Sequence, residues 1–137
     1  MHTYIHKVQY YETDKMGITH HSNYIRWMEE ARVDFLDHIG YSYAKLERDG
    51  IASPVIGVEC QYKHPTAFND EVAIAVRVEE FKGVRLIIGY EMTNAVSGNI
   101  VLTGKTSHCF TDMSGKPIIL KKQFPEFDAV LRQQANN

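Results

Sequence analysis

Residues 72–93, VAIAVRVEEFKGVRLIIGYEMT, decide the fold, because they contain two runs in which every second residue is large and apolar. A period of two is the pattern of a β-strand that buries one face. Lys82-Gly83 lies between the runs as a short turn, and short turns join antiparallel neighbours. The stretch therefore predicts a pair of antiparallel strands, over residues 72–79 and 84–93.

The same alternation extends outward from this pair. Residues 55–63 and 100–110 alternate as well, and residues 3–11 do so loosely and are rich in β-forming types. Turn-forming residues separate the later segments, at Asn69-Asp70 and Ser97-Gly98-Asn99. The sequence therefore predicts five strands in an antiparallel sheet.

One segment has a helical period instead. Between residues 22 and 39 the apolar residues recur at spacings of three and four, as Tyr24, Trp27, Met28, Ala31, Phe35 and Ile39. Ser22 or Asn23 is expected to cap this helix, and Gly40 to end it. The polar residues of the segment are expected to cover its outer face, with Arg26 and Glu30 as an i,i+4 pair. We predict an α+β fold with this long helix on one face of the sheet, and shorter helices over residues 43–48 and 124–132.

Length and composition fit one domain over residues 1–137. The chain is 44% hydrophobic and 23% charged, with a net charge of −2, so it has no basic field for nucleic acid. Cys60 and Cys109 do not make a disulfide scaffold, and both are expected to be small buried hydrophobes. Residues 1–7 lack the apolar core of a signal peptide, and no apolar run reaches the ~18 residues that span a membrane. We expect a cytoplasmic protein with no membrane span.

The densest group of reactive residue types lies between Asp14 and Asn23, just before the long helix. A helix N-terminus stabilises developing negative charge, and an acidic side chain nearby is a base or a nucleophile. That combination suits acyl transfer or hydrolysis. The plain alternative is that Asp14 caps a turn, Gly17 forms it, and the neighbouring histidines are solvated. Spacing alone leaves both interpretations open.

Other chemistries find less support in the sequence. Seven histidines are present, but His20 and His21 are adjacent and the others are scattered, without a recognised metal-ligand spacing. No Gly-x-Ser-x-Gly motif is present, so a serine hydrolase of that type is not indicated. We therefore expect no metal site.

Residues 11–24, YETDKMGITHHSNY, followed by Trp27 and by Glu30-Ala31-Arg32, resemble the motif of hotdog-fold acyl-CoA thioesterases of the 4-hydroxybenzoyl-CoA thioesterase type. They are most similar to the short bacterial acyl-CoA thioester hydrolase branch. Further matches are Tyr62-Lys63-His64-Pro65 and the Lys82-Gly83 turn, so the resemblance covers about residues 4–112. It implies a hotdog fold, in which an antiparallel sheet wraps around one long helix.

The resemblance also implies roles for individual residues. Asp14 matches the catalytic carboxylate, acting either as general base on water or as nucleophile. The backbone N–H of His21 matches the donor that binds the thioester carbonyl, and Gly17 matches the turn that lets the backbone approach. Asn23 and Tyr24 are expected to fix the loop. The substrate-binding candidates are His20, Asn23, Tyr24, Lys63, Lys82 and Arg85. No metal or cofactor is implied, since CoA is part of the substrate.

The implied function is an acyl-CoA thioesterase that releases a free acid and CoA. The alternatives are an acyl carrier protein thioesterase and a non-catalytic acyl-CoA binding protein. The net charge of −2 is mild evidence against docking of an acidic carrier protein. A chain of this size offers little depth for CoA. Members of the family that the chain resembles place the site between two subunits, so we expect a homodimer or homotetramer with active sites between subunits.

Overall fold

A computed structural model describes residues 2–137, and its centre is a five-stranded antiparallel sheet. The strands are β1 (His2–Lys7), β2 (Val55–Tyr62), β3 (Glu71–Phe81), β4 (Arg85–Asn94) and β5 (Ile100–Cys109). They lie in the order β1-β3-β4-β5-β2, so β1 and β2 form the two edges. The predicted α+β class and the four later strands are confirmed, with ends that differ by at most two residues.

The helices are α1 (Ser22–His38), α2 (Tyr43–Arg48), α3 (Leu120–Gln123) and α4 (Pro125–Ala135). Gly40 ends α1 with a φ of 91°, as predicted. The predicted cap is wrong, because the N-cap position is His21 and its side chain makes no capping hydrogen bond. Among residues 2–137, no helix is both long and apolar enough to cross a bilayer.

The first predicted strand, over residues 3–11, is too long. The chain leaves the sheet after Lys7, and Tyr10–Glu12 forms a single 3-10 turn. The Glu12 carboxylate accepts the backbone N–H of Gln9 at 2.8 Å and stabilises that turn. Local alternation misses this break because it depends on one side-chain contact.

The core lies between α1 and the sheet. Trp27, Met28 and Ala31 are fully buried on the sheet side of the helix, as the apolar stripe predicts. Gly104 on β5 permits this approach, since a Cβ there would overlap Met28 Cε. The predicted polar face is partly wrong, because Arg32 is also buried.

On the edge strand β2, the alternating residues Ile56, Val58 and Tyr62 are exposed. Ile56 is 58% exposed and Tyr62 is 51% exposed, and a register shift lies between Val55 and Gly57. The cause is position, since β2 pairs only with β5. The chain therefore presents an apolar strand whose outer backbone edge is unpaired within residues 2–137.

Candidate active site

The segment before α1 forms a tight loop that presents Asp14. Thr13 and Thr19 bridge its two arms, the Asp14 N–H donates to the Ile18 carbonyl at 2.8 Å, and the Gly17 N–H donates to the Asp14 carbonyl at 3.0 Å. Gly17 has a φ of 80°, a conformation that glycine adopts without strain. The chain forms this tight loop because Gly17 adopts the backbone conformation that reverses its direction.

The Asp14 carboxylate is half-buried and has one protein partner. Its Oδ1 accepts the Met16 N–H at 2.8 Å, which is the turn-capping contact that the plain interpretation predicts. Within residues 2–137, no hydrogen bond reaches its Oδ2. One oxygen therefore orients the side chain and the other remains free to accept a proton or to attack.

The far arm of the loop leads into the first turn of α1. The His20 N–H donates to the Glu12 carbonyl at 2.8 Å, and the Thr19 N–H donates to the Thr66 carbonyl at 2.8 Å. His21 follows at the N-cap position, and its backbone N–H has no acceptor in the described part of the chain. An unpaired N–H at a helix N-terminus is suited to bind a carbonyl oxygen that gains negative charge.

A groove of about 330 Å³ opens between this arm, the start of α1 and the end of β2. The Tyr24 and Tyr62 rings pack with centroids 5.6 Å apart, and the His21 ring meets the edge of Tyr62 at 6.5 Å. The volume is near the lower end of the range for ligand sites. Its lining is Ile18, Thr19, His21, Tyr24, Tyr62, Lys63, His64 and Pro65.

A larger depression, of about 430 Å³, lies on the outer face of the sheet. Charged side chains line much of it, including Arg77, Glu79 and Lys105, and His21 lines the smaller groove but not this depression. Arg77 and Glu79 already form an ion pair there at 2.6 Å. We therefore take the smaller groove beside the loop as the candidate site.

Three predicted residues contact the loop or the groove. The His20 Nδ1 accepts the Ser22 N–H at 3.2 Å, and its ring stacks on His21. Asn23 is buried and donates its amide to the Glu12 carbonyl at 2.9 Å, so it braces the loop. The Tyr24 ring lines the groove, and its hydroxyl lies 3.0 Å from that of Thr66.

The predicted basic residues fall at two ends of the sheet. Lys63 lines the groove. Lys82 pairs with Glu80 at 2.9 Å in the β3–β4 turn, and Arg85 begins β4. Arg85 lies opposite Cys109, whereas the β5 residue paired with Tyr62 is Leu102, seven residues away or about 23 Å along the sheet. A single chain does not bring Lys82 or Arg85 to Asp14.

Sequence reasoning missed three residues of this region as site candidates: Glu12, Tyr62 and Thr66. The exposed alternation of β2 was a signal for Tyr62, whose pKa is raised by burial and by nearby Cys60 and Tyr24. Thr66 bonds Thr19 and Tyr24 across 47 and 42 residues of sequence, which no local pattern reveals. Burial raises the pKa of Glu12, but hydrogen bonds from Gln9, His6 and Trp27 outweigh it, and the net pKa is lowered.

Metal ligation has no visible support. Within residues 2–137, no three His, Cys, Asp or Glu side chains lie together in a way that could hold an ion.

Comparison with known proteins adds independent information. The model of the thioesterase-like superfamily matches residues 8–135. The putative acyl-CoA thioesterase YneP of Bacillus subtilis (strain 168) is 34% identical over 122 residues, which are 88% of each chain. The acyl-CoA thioester hydrolase YbgC of Escherichia coli O157:H7 is 25% identical over 116 residues, covering 85% of this chain and 87% of that protein. The solved structure of a DHNA-CoA thioesterase from Staphylococcus aureus has a TM-score of 0.91 and 33% identity, and the match covers 96% of this chain and 88% of that one.

These matches extend over nearly the whole chain and include the Asp14 loop, α1 and the sheet. They confirm the resemblance carried by residues 11–24 and the hotdog fold that it implies. The chain belongs to the thioesterase-like superfamily, as a hotdog-fold thioester hydrolase of the 4-hydroxybenzoyl-CoA thioesterase type.

Proposed function

We propose that this chain hydrolyses acyl-CoA thioesters at the groove beside Asp14. One observation supports this above all others. A single loop carries a carboxylate with a free oxygen, and it ends at a helix N-terminus with an unbonded N–H, that of His21. A carbonyl bound to that N–H is polarised for attack by a nucleophile near the carboxylate.

Asp14 can promote hydrolysis of the thioester by two reaction routes. As general base it takes a proton from water while the water oxygen bonds to the carbonyl carbon; the carbon–sulfur bond then breaks and the proton passes to the leaving thiolate. As nucleophile its carboxylate displaces the thiolate and forms a mixed anhydride, which water hydrolyses. The His21 N–H stabilises the oxyanion in either route, and neither route needs a metal or cofactor.

The groove favours a compact acyl group. Its volume of about 330 Å³ and its walls of Tyr24, Tyr62 and His21 suit a planar ring better than a long chain, because aromatic rings pack face to edge. The DHNA-CoA thioesterase among the related structures gives this proposal a precedent in its name. Lys63, with His64 beside it, is placed to meet the polar part of the substrate.

We further propose that the working unit is a homodimer or a homotetramer, with the site between subunits. The apolar, unpaired edge of β2 is suited to pair with a second copy. The groove lies at the end of this strand, so a partner there would complete its wall. Lys82 and Arg85 would then bind CoA only from the partner subunit. The cytoplasm, where acyl-CoA is available, is the proposed location.

The test is a thiol-release assay on a panel of thioesters, run with the purified chain and with Asp14→Asn. The panel contains aromatic, short-chain and long-chain acyl-CoA, and the same acyl groups on acyl carrier protein. We expect CoA release that is fastest with aromatic acyl groups and lost in Asp14→Asn. Release only from the carrier protein would favour a carrier protein thioesterase, and binding without release would indicate a non-catalytic binder.

A further inference from the structure

Glu12 is the most heavily bonded acidic side chain near the site, and the proposed reaction does not use it. It is 5% exposed. Its Oε1 accepts the Gln9 N–H at 2.8 Å and lies 2.9 Å from His6 Nε2, and its Oε2 accepts the Trp27 Nε1–H at 2.7 Å. The side chain thus ties the 3-10 turn to β1 and to α1.

The backbone of Glu12 holds the opposite arm of the loop. Its carbonyl accepts both the His20 N–H at 2.8 Å and the Asn23 side-chain N–H at 2.9 Å. Asp14 is only two residues further along, and His21 directly follows His20. The contacts of Glu12 therefore fix the position of the Asp14 carboxylate relative to the N-terminus of α1.

His6 extends these contacts into a cluster of three, Glu12, His6 and Glu30. The His6 Nδ1 lies 2.8 Å from Glu30 Oε2, while its Nε2 contacts Glu12. The His6 ring therefore lies between two carboxylates, one in the 3-10 turn and one on α1. Its contact with Glu12 Oε1 helps to satisfy the buried carboxylate, because a buried polar group needs hydrogen-bond partners.

We propose that Glu12 is a positioning residue, which holds Asp14 and the His21 N–H in the mutual geometry that the reaction needs. This inference rests on the proposed function. Glu12 does not line the groove, so its loss is expected to leave substrate binding intact and to slow the chemical step. A misplacement of about 1 Å costs on the order of 10²-fold in rate.

The variants that test this are Glu12→Gln, with the matched control Glu30→Gln. Glu12→Gln keeps the shape but places an amide N–H₂ against a hydrogen-bond donor. We expect kcat to fall about 30-fold, with KM within about threefold of the wild-type value. Glu30 contacts the same His6 ring but is half-exposed and has no bond to the loop, so Glu30→Gln is expected to keep kcat within about twofold.

Trp27 provides a spectroscopic readout, since it is the single tryptophan of the chain and its N–H donates to Glu12. Its emission maximum is expected to shift in Glu12→Gln and to stay unchanged in Asp14→Asn. Binding of a non-hydrolysable thioether analogue of the acyl-CoA, measured by calorimetry, is expected to be unchanged in Glu12→Gln. A merely structural loss would weaken that binding together with kcat.

The outcomes separate this inference from the proposed function. Turnover retained by Asp14→Asn would contradict the proposed function, whatever Glu12→Gln does. An inactive Asp14→Asn beside a Glu12→Gln variant of wild-type kcat would overturn the positioning role, and so would equal losses of kcat and analogue binding. If Glu12→Gln does not fold, His6→Asn decides, because it removes one of the three donors to the carboxylate: lower kcat at unchanged KM supports the role, and unchanged kcat overturns it.

Discussion

Polar groups before the start of helix α1 and in its second half are in opposite situations. At its start, Asp14 and the His21 N–H have bonding capacity to spare beside an open groove. Towards its end, Arg32 is 5% exposed, and its Nε and Nη1 donate to the hydroxyls of Tyr43 and Tyr90 at 3.1 and 3.0 Å. From Tyr90 the hydrogen bonds continue through Thr106 to His108, at 2.6 and 2.8 Å. We call Arg32, Tyr43, Tyr90, Thr106 and His108 the buried network.

Free bonding capacity and access distinguish the proposed site, and a perturbed pKa does not. Burial, together with the positive charge of Arg32, lowers the pKa of His108 to about 4. Yet His108 is 1% exposed, and it lines neither the candidate groove nor the depression on the outer face of the sheet. We assign the buried network to stability and the Asp14 loop to chemistry.

The substitution Arg32→Ala tests this assignment with the largest expected effect. Removing the guanidinium leaves a cavity, and it takes the donor away from the buried Tyr90 hydroxyl and the half-buried Tyr43 hydroxyl. The free energy of unfolding is therefore expected to fall by about 4 kcal/mol. The kcat of the folded fraction is expected to remain unchanged. Urea unfolding and a thiol-release assay measure the two quantities. Arg26→Ala, on the exposed side of the same helix, is the control and should change stability by no more than about 0.5 kcal/mol. A loss below about 1 kcal/mol in Arg32→Ala would contradict the assignment.

The pH dependence of stability tests the same network at His108. Above pH 6.5 His108 is neutral in the folded and the unfolded chain, so it adds no pH dependence. Between pH 6.5 and about 4 only the unfolded chain takes up the proton, and stability is expected to fall by up to about 3 kcal/mol. Urea unfolding at several pH values in this window measures the slope. His108→Gln should flatten it, and an unchanged slope in that variant would count against His108 as its source.

A smaller effect comes from two glycines that flank α1. Gly17 and Gly40 have φ values of 80° and 91°, and an added Cβ at either would meet nothing within 4 Å. Alanine at each position therefore costs backbone strain alone, about 1 kcal/mol of stability. Only Gly17→Ala is expected to lower kcat as well, because Gly17 lies in the Asp14 loop. Equal kcat values in the two variants would remove the functional distinction between the ends of the helix.

Local sequence patterns predicted the parts of the fold that depend on near neighbours. The alternation of residues 72–93 and the stripe from Tyr24 to Phe35 gave the strands and α1 correctly, because periodicity reports which face is buried. Arg32 was placed on the surface because its residue type is usually exposed. Its burial depends on Tyr90, 58 residues away, which no local pattern contains.

The candidate site likewise has one part that a local motif predicts and another that depends on long-range contacts. The loop around Asp14 and Gly17 is continuous in sequence, so a motif was enough to find it. Tyr62 reaches the site through the pairing of β2 at the sheet edge, and Thr66 through its bonds to Thr19 and Tyr24. Lys82 and Arg85 lie at the other end of that sheet. Contacts between distant segments, and those with a second subunit, are what a motif does not specify.

The central claim is that the Asp14 carboxylate performs the chemistry. The direct measurement is the kcat of Asp14→Asn, on the acyl-CoA that the wild-type chain hydrolyses fastest, beside its unfolding midpoint. We predict a fall of about 10³-fold in kcat with no change in the midpoint, because the amide neither accepts a proton nor attacks the thioester. A kcat within about threefold of the wild-type value would contradict the claim.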